Sequence, residues 1–427
     1  MKSLHKTIML ALLLLTGACG SMLDIEPHSA VSPTVVGPDD IDALRMGMYN
    51  KVQEGPTYYS YIAFDLFGGE LMTSTGRPID LINSLSNALH TFVSSQWNGY
   101  YKALLQVNNV MSIAEGLADS PLKNRVLGEC RYFRAYIYLC LVTRFGDVPV
   151  LRQNTQAKVS RDPAADAWAL VEEDLDAAAG YLNGLTADSY YYVSPQAVTA
   201  LKARVKLYLG KKGEAKELAE SLIGNSRFAL DSFDKIFRGK ANTEVIFAFS
   251  CLTEDGSSIK ISNQFYSYNH PNKGSYNYRP AGEVMTMYAD NDLRKEISIT
   301  TLDNLNFINK YPSGQTGSDP VVISRLAEMY LISAEAQGLN GGLDRLNELR
   351  EKRGLDRVSP GNEADFLDAV LQERRLEFLA EGFRWYDLVR TGKATQTLGT
   401  KDYQCLMPLP SRELLYNPNL KPNNPGY

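Results

Sequence analysis

Residues 194–223 read SPQAVTALKARVKLYLGKKGEAKELAESLI, two helical segments joined by a short turn. Ser194 supplies a hydroxyl for the first free backbone amides, and Pro195 suits a first helical position, where no amide hydrogen is needed. The apolar spacing predicts a helix from there to Leu209. Gly210-Lys211-Lys212-Gly213 then turns the chain, and Glu214 to Ile223 returns. The pattern recurs downstream, with a helix predicted over Val322 to Gly338, a turn over Gly338 to Gly342, and a return over Leu343 to Lys352. Ala197, Ala200 and Ala203 in the first pair, and Ala327, Ala334 and Ala336 in the second, stand where helices must approach closely. Each hairpin has a face that only a neighbouring hairpin can bury, which is TPR-like packing. A helical bundle without repeats is the plainer alternative.

Most of the remaining chain is also helical in pattern. Asp39-Asp40 offers acidic capping before Ile41 to Val52, and Trp97 to Leu117 continues the helical period. Pro121 opens a long helix through Arg144, in which Val126, Cys130, Phe133, Ile137 and Leu141 mark one buried face. Gly146-Asp147-Val148-Pro149 ends it. Character changes over residues 244–280. Val245 to Phe249 is strand-like, and the Gly, Ser, Asn and Tyr that follow carry no helical period. The expected fold is therefore mostly α. TPR-like hairpins over about 94–225 and 322–390 form a scaffold, with few short strands and a loop-rich irregular ligand-binding insertion over about 226–320.

The first thirty residues read as a processing segment. Lys2 and Lys6 precede the apolar run Ile8 to Leu15, which reaches about 12 Å as a helix, short of a ~30 Å hydrocarbon core. Gly17 and Ala18 then stand directly before Cys19. This arrangement predicts a signal peptide over 1–18 and a lipid anchor on Cys19, in a mature chain of 19–427. Thr16 occupies the position, three before the Cys, where such signals usually carry Leu. Each buried methylene of an acyl chain contributes about 0.8 kcal/mol, so two or three chains anchor well.

Composition excludes several classes. The formal charge is −5 and becomes −7 without Lys2 and Lys6, with no block of basic residues, which disfavours nucleic acid and anionic lipid surfaces. Cys130 and Cys140 are about 15 Å apart along one helix, too far for a disulfide, and no paired CxxC spacing indicates a metal. Phosphate-loop, dinucleotide, HExxH and GxSxG motifs are absent, and His5, His28, His90 and His270 are scattered. No enzyme, metal or cofactor is expected, although two acids suffice for a glycoside hydrolase and leave that reading open.

Five blocks then carry a family resemblance. Cys19 is followed by Leu23-Asp24 and Pro27. Gly128-Glu129 and Phe133-Arg134-Ala135-Tyr136 lead to Phe145-Gly146-Asp147-Val148-Pro149. Arg325 to Leu331 is followed by Ala334-Glu335-Ala336, and Gln372 to Gly382 by Arg384-Trp385-Tyr386-Asp387-Leu388. Pro408, Pro410 and Asn417 to Tyr427 close the series. In this order the blocks resemble SusD/RagB-family outer-membrane lipoproteins over the whole mature chain, although many relatives are longer. The resemblance implies a nutrient-binding lid on a SusC-like TonB-dependent transporter, facing the cell exterior. It implies a glycan cargo, with a peptide as the RagB-like alternative.

Several residues are then candidates for ligand contact. Residues 264–279 hold Phe265, Tyr266, Tyr268, Tyr276 and Tyr278 among Asn263, Asn269, Asn272 and Asn277. A Tyr ring offers a flat apolar face to the C–H side of a sugar, and Asn offers both donors and acceptors to its hydroxyls. Tyr266, Tyr268, Asn269, Tyr276 and Tyr278 are the expected contacts. The resemblance adds Arg77 and Asp80, in the loop after Gly69-Glu70. Tyr58, Tyr59 and Tyr61 rank third, as partly buried. Arg374, Arg375, Glu377 and Glu381 have the spacing of ion pairs within one helix, reaching towards Asp387, rather than of a catalytic cluster. Trp97, Trp168 and Trp385 are expected in the core.

Overall fold

A computed structural model describes residues 40–74, 82–83, 85–238, 240–251 and 259–427. The signal segment, Cys19, Arg77 and Asp80 lie outside the described residues. The fold is mostly helical, with few short strands, as the sequence pattern predicts. In chain order the main helices are α1 (Ile41–Glu54), α2 (Thr57–Phe67), α3 (Thr91–Glu115), α4 (Pro121–Phe145), α5 (Ala164–Tyr181), α6 (Pro195–Tyr208) and α7 (Lys212–Ile223). After the irregular region come α8 (Leu326–Lys352), α9 (Glu363–Glu377) and α10 (Arg384–Arg390). Three antiparallel strand pairs complete it: β1 (Leu71–Thr73) with β3 (Tyr278–Pro280), β2 (Val245–Phe249) with β6 (Val321–Arg325), and β4 (Ile299–Leu302) with β5 (Leu305–Ile308).

The first hairpin forms as its ends dictate. The Ser194 side chain accepts from the Ala197 amide, Pro195 opens α6, and α7 packs back after the glycine turn. The second hairpin differs at its start. Val321, Val322 and Ile323 are β-branched and buried on both faces, and they pair with β2 instead of joining the helix, which begins at Leu326. Gly338, with φ +70°, then breaks α8 into two arms, a conformation that a side chain with a Cβ resists.

The central helix also departs from expectation. One face of α4 is apolar in the sequence pattern, yet every residue from Val126 to Phe145 except Arg131 is buried. Its buried charged residues enter the interior because each finds a partner there. Arg45 donates to Glu129 with Nη2 at 2.8 Å, Arg134 binds both oxygens of Asp174, and Arg144 donates to the Gln96 amide oxygen and the Ser60 carbonyl. Buried charge is tolerated when paired and hydrogen-bonded. Nearby, Gly99 of α3 lets the start of α2 approach: a Cβ there would lie 2.1 Å from the Gly55 carbonyl oxygen.

Trp97 and Trp385 are core residues, and Trp168 is partly buried against the core. Cys130, Cys140 and Cys251 are buried free thiols, and Cys405 is half-buried and free.

Candidate ligand-binding face

The short β1–β3 ribbon organises the candidate site. Leu71 lies opposite Pro280, Met72 opposite Arg279 and Thr73 opposite Tyr278. The pairing continues past both ends: the Ser74 amide donates to the Asn277 carbonyl at 3.0 Å, and the Ala281 amide to the Glu70 carbonyl at 2.8 Å. Two loops some two hundred residues apart in sequence thus start side by side: the one after Gly69-Glu70 and the Tyr/Asn-rich stretch. Glu70 is buried beneath this ribbon and accepts from Arg375 Nε of α9 at 2.8 Å, fastening the loop base to the scaffold. Burial raises the Glu70 carboxyl, and the Arg375 and Arg384 guanidiniums oppose that rise.

The Tyr/Asn-rich stretch closes on itself. The Ser275 amide donates to the Asn263 carbonyl at 2.7 Å and the Tyr276 amide to the Tyr266 carbonyl at 3.0 Å. Asn277 donates through Nδ2 to the Gln264 amide oxygen at 2.8 Å. This cross-bonding places the predicted contacts unequally. Tyr266 is 0% exposed, its ring stacked against Phe307 and His270 and its hydroxyl donating to Asn309 Oδ1 at 2.8 Å. It offers no free face in this conformation and instead holds the loop onto β5, which corrects its assignment as a stacking platform. Tyr278 is 8% exposed within β3 and likewise presents little ring surface. Burial pushes both hydroxyls up to about 12. Tyr276 is half-buried, its hydroxyl donating to the Asn306 carbonyl. Tyr268, 77% exposed, and Asn269, also exposed, stand free at the tip.

Tyr58 and Tyr59 of α2 join this face. Their rings lie 4.4 Å apart, and the Tyr58 and Tyr278 hydroxyls are close enough to perturb each other. Beside them opens a recess of about 390 Å³ lined by Thr57, Tyr58, Ile259, Lys260, Asn263 and Gln264. Its volume falls within the ~300–1,000 Å³ range of small-molecule sites. Ile259 and Lys260 escaped the sequence reading, because only the fold brings them beside Tyr58. Thr57, Lys260, Lys273 and Tyr276 have φ between +49° and +61°, and such non-glycine strain concentrates where a backbone is held for a ligand.

The charged cluster of α9 is used elsewhere. The expected reach towards Asp387 is made by Arg374, but the pairs run between elements and not along one helix, which corrects the expected intrahelical arrangement. Arg374 Nε donates to Asp387 at 2.6 Å, Arg375 to Glu70, and Glu377 accepts from Arg294, Arg325 and Arg353. Arg374, Glu377 and their partners are buried, whereas the partly exposed Arg375 braces Glu70 at the base of the site. Among the described residues no three His, Cys, Asp or Glu side chains lie together in a form that could hold a metal ion.

Comparison with known proteins agrees along the chain. The SusD family matches residues 263–405, and a family described as starch-binding associating with outer membrane matches residues 21–209. SusD-like protein P38 of Formosa agariphila is 26% identical, with 96% of each chain covered. A SusD-like protein of Bacteroides ovatus is 23% identical over 91% of this chain and 82% of its own. Among solved structures, a SusD superfamily protein of Bacteroides thetaiotaomicron aligns with a TM-score of 0.77 at 21% identity, covering 91% of this chain and 100% of that one. Surface glycan-binding protein A of Bacteroides fluxus aligns with 0.78 at 20% identity, covering 92% and 100%.

Proposed function

The chain belongs to the SusD family of glycan-binding, outer-membrane-associated proteins, and from that premise we propose that it captures an oligosaccharide as the lid of a SusC-like TonB-dependent transporter. The observation that carries this reading is the β1–β3 pairing. It sets Thr73 and Ser74, the described residues that follow Gly69-Glu70, beside the Tyr/Asn-rich loop, with the Tyr58–Tyr59 pair and a recess adjoining. Flat rings and amides on a braced surface suit sugar faces and hydroxyls, and prior ordering lowers the cost of binding. On this reading Tyr268 and Asn269 reach the ligand first, Tyr276 flanks them, and Tyr266 and Tyr278 position the loop.

Purified protein run in native gels containing soluble polysaccharides is expected to be retarded by at least one of them, and to leave oligosaccharides intact. Shortened products would replace this reading with a surface hydrolase. Binding confined to peptides would replace the glycan. Tyr268→Ala combined with Asn269→Ala is expected to weaken glycan binding by at least ~1 kcal/mol, about fivefold in Kd, with unchanged melting temperature. Equal affinity would move the contact off this tip.

Tethering completes the proposal. A lipid on Cys19, followed by a segment containing Pro27, Pro33 and Pro38, keeps the lid beside its transporter while leaving it free to swing. Cys19→Ser is expected to abolish palmitate labelling and to shift the protein out of the outer-membrane fraction. Retention of both would remove the anchor from the account.

A further inference from the structure

A second recess, of about 230 Å³, opens between the α5–α6 connection and residues 227–246, and it shares no residue with the recess beside Tyr58. Its walls are braced by backbone bonds. The Tyr192 amide donates to the Ser189 carbonyl, and the Ala248 amide of β2 donates to the Tyr190 carbonyl at 3.0 Å. On the far side Asn242 Oδ1 accepts from the Glu244 and Val245 amides. Two half-buried rings, Tyr190 and Phe228, line it. Tyr190 leans on Tyr191 with ring centroids 4.5 Å apart, which fixes its plane.

Three polar side chains at this recess are left over by the fold. Gln196, in the first turn of α6, and the exposed Asp188 and Arg227 make no side-chain hydrogen bond or ion pair among the described residues. Gln96, Arg134 and Arg144, in the scaffold interior, by contrast all bond to neighbouring groups. A braced aromatic wall edged by an amide, a guanidinium and a carboxylate without partners has the chemistry of a sugar ring, an apolar C–H face with vicinal hydroxyls on its rim. The volume lies below the ~300 Å³ at which sites for drug-sized ligands begin, so the recess suits one ring and not a folded chain.

We propose that this recess is a second carbohydrate subsite, taking one pyranose residue of a glycan independently of the tyrosine face. The proposal rests on the glycan reading above. Its test is native-gel retardation in amylopectin, xylan, galactomannan and galacturonan, with three proteins compared. These are the full chain, the Gln196→Ala/Arg227→Ala variant, and a Tyr190→Ala variant, each checked for an unchanged melting temperature. The polar double variant carries the test if Tyr190→Ala fails to fold. On a polysaccharide that retards the full chain, the double variant is expected to bind at least threefold more weakly. It should also remove the residual retardation left by Tyr268→Ala/Asn269→Ala. Equal retardation of the full chain and the double variant would overturn the subsite and leave the glycan reading standing. Retardation of none of the proteins by any polysaccharide would overturn both.

Discussion

Glu377→Ala is expected to lower the melting temperature by about 4–6 °C at neutral pH, with loss of ~3–5 kcal/mol of stability. The cost follows from where the carboxylate sits. Glu377 is fully buried and accepts from Arg294 Nη1 at 2.9 Å, Arg353 Nη2 at 2.7 Å and Arg325 Nη1. Those three arginines are buried as well, held also by Asp292 and Glu373, by Glu244 and by Glu381. Removing the shared carboxylate leaves positive charge without compensation in a dry interior, and breaking a buried pair in this way typically costs ~3–5 kcal/mol. At an unfolding entropy near 2.1 cal/mol/K per residue, a chain of this size loses a little over ~1 °C per kcal/mol. Glu377→Gln keeps the shape but not the charge and is expected to recover only a minor part of the loss. A melting temperature unchanged by Glu377→Ala would mean that the remaining acids satisfy the arginines unaided.

The same carboxylate gives this prediction a pH signature. Burial alone would raise the Glu377 carboxyl, but Arg353, Arg325 and Arg294 outweigh it and hold the group well below the usual carboxylate range. Because the folded state depresses the pKa, the contribution is fully present above the unfolded value of ~4.3 and is lost as pH falls through the folded value. The gap in melting temperature between the full chain and Glu377→Ala should therefore stay constant from about pH 5 to 8 and narrow below about pH 4. Asp65 runs the other way. Its carboxyl is raised well above the usual range by burial, against the Gly382 and Ala380 amides that it accepts, so acid relieves its desolvation instead of breaking a pair.

What could be read from sequence divides by range. The hairpins around Gly210 and Gly338 were legible because caps, glycine turns and apolar spacing act within a few residues. The strand at Val321–Arg325 was not, since its β-branched run merges into the apolar period of the helix behind it, and its partner β2 lies some seventy residues upstream. Charge spacing in α9 suggested pairs along the helix reaching towards Asp387; Arg374 does reach Asp387, whereas Glu377 binds arginines outside the helix. Tyr266 failed as a candidate for a related reason. Composition marks its loop as wet, but Phe307 and Asn309, some forty residues on, cover its ring and hydroxyl. The meeting of the two candidate loops through Ser74 and Asn277 has no local signal at all. Tyr268 and Asn269 alone among the predicted contacts in that loop stand fully in solvent, and they lie at its tip, where packing demands least.

Trp385→Ala separates a structural from a ligand role for the residue most easily mistaken for a sugar platform. The indole is 2% exposed and packs on Phe67 of α2 with centroids 5.6 Å apart, and Phe67 in turn meets Phe92 of α3 edge to face. Truncating a buried Trp removes its transfer energy and leaves a cavity, together ~3–5 kcal/mol. The melting temperature is expected to fall by about 4–6 °C by the same entropy per residue. Glycan affinity measured well below that temperature should change less than about twofold, because Phe67 lies before the Gly69-Glu70 turn and Arg375 holds Glu70 from a separate element. Trp385→Phe should restore part of the stability by refilling the cavity. The opposite pattern, lost affinity at unchanged melting temperature, would place the indole at the ligand and require a binding surface on α10 in place of the tyrosine face.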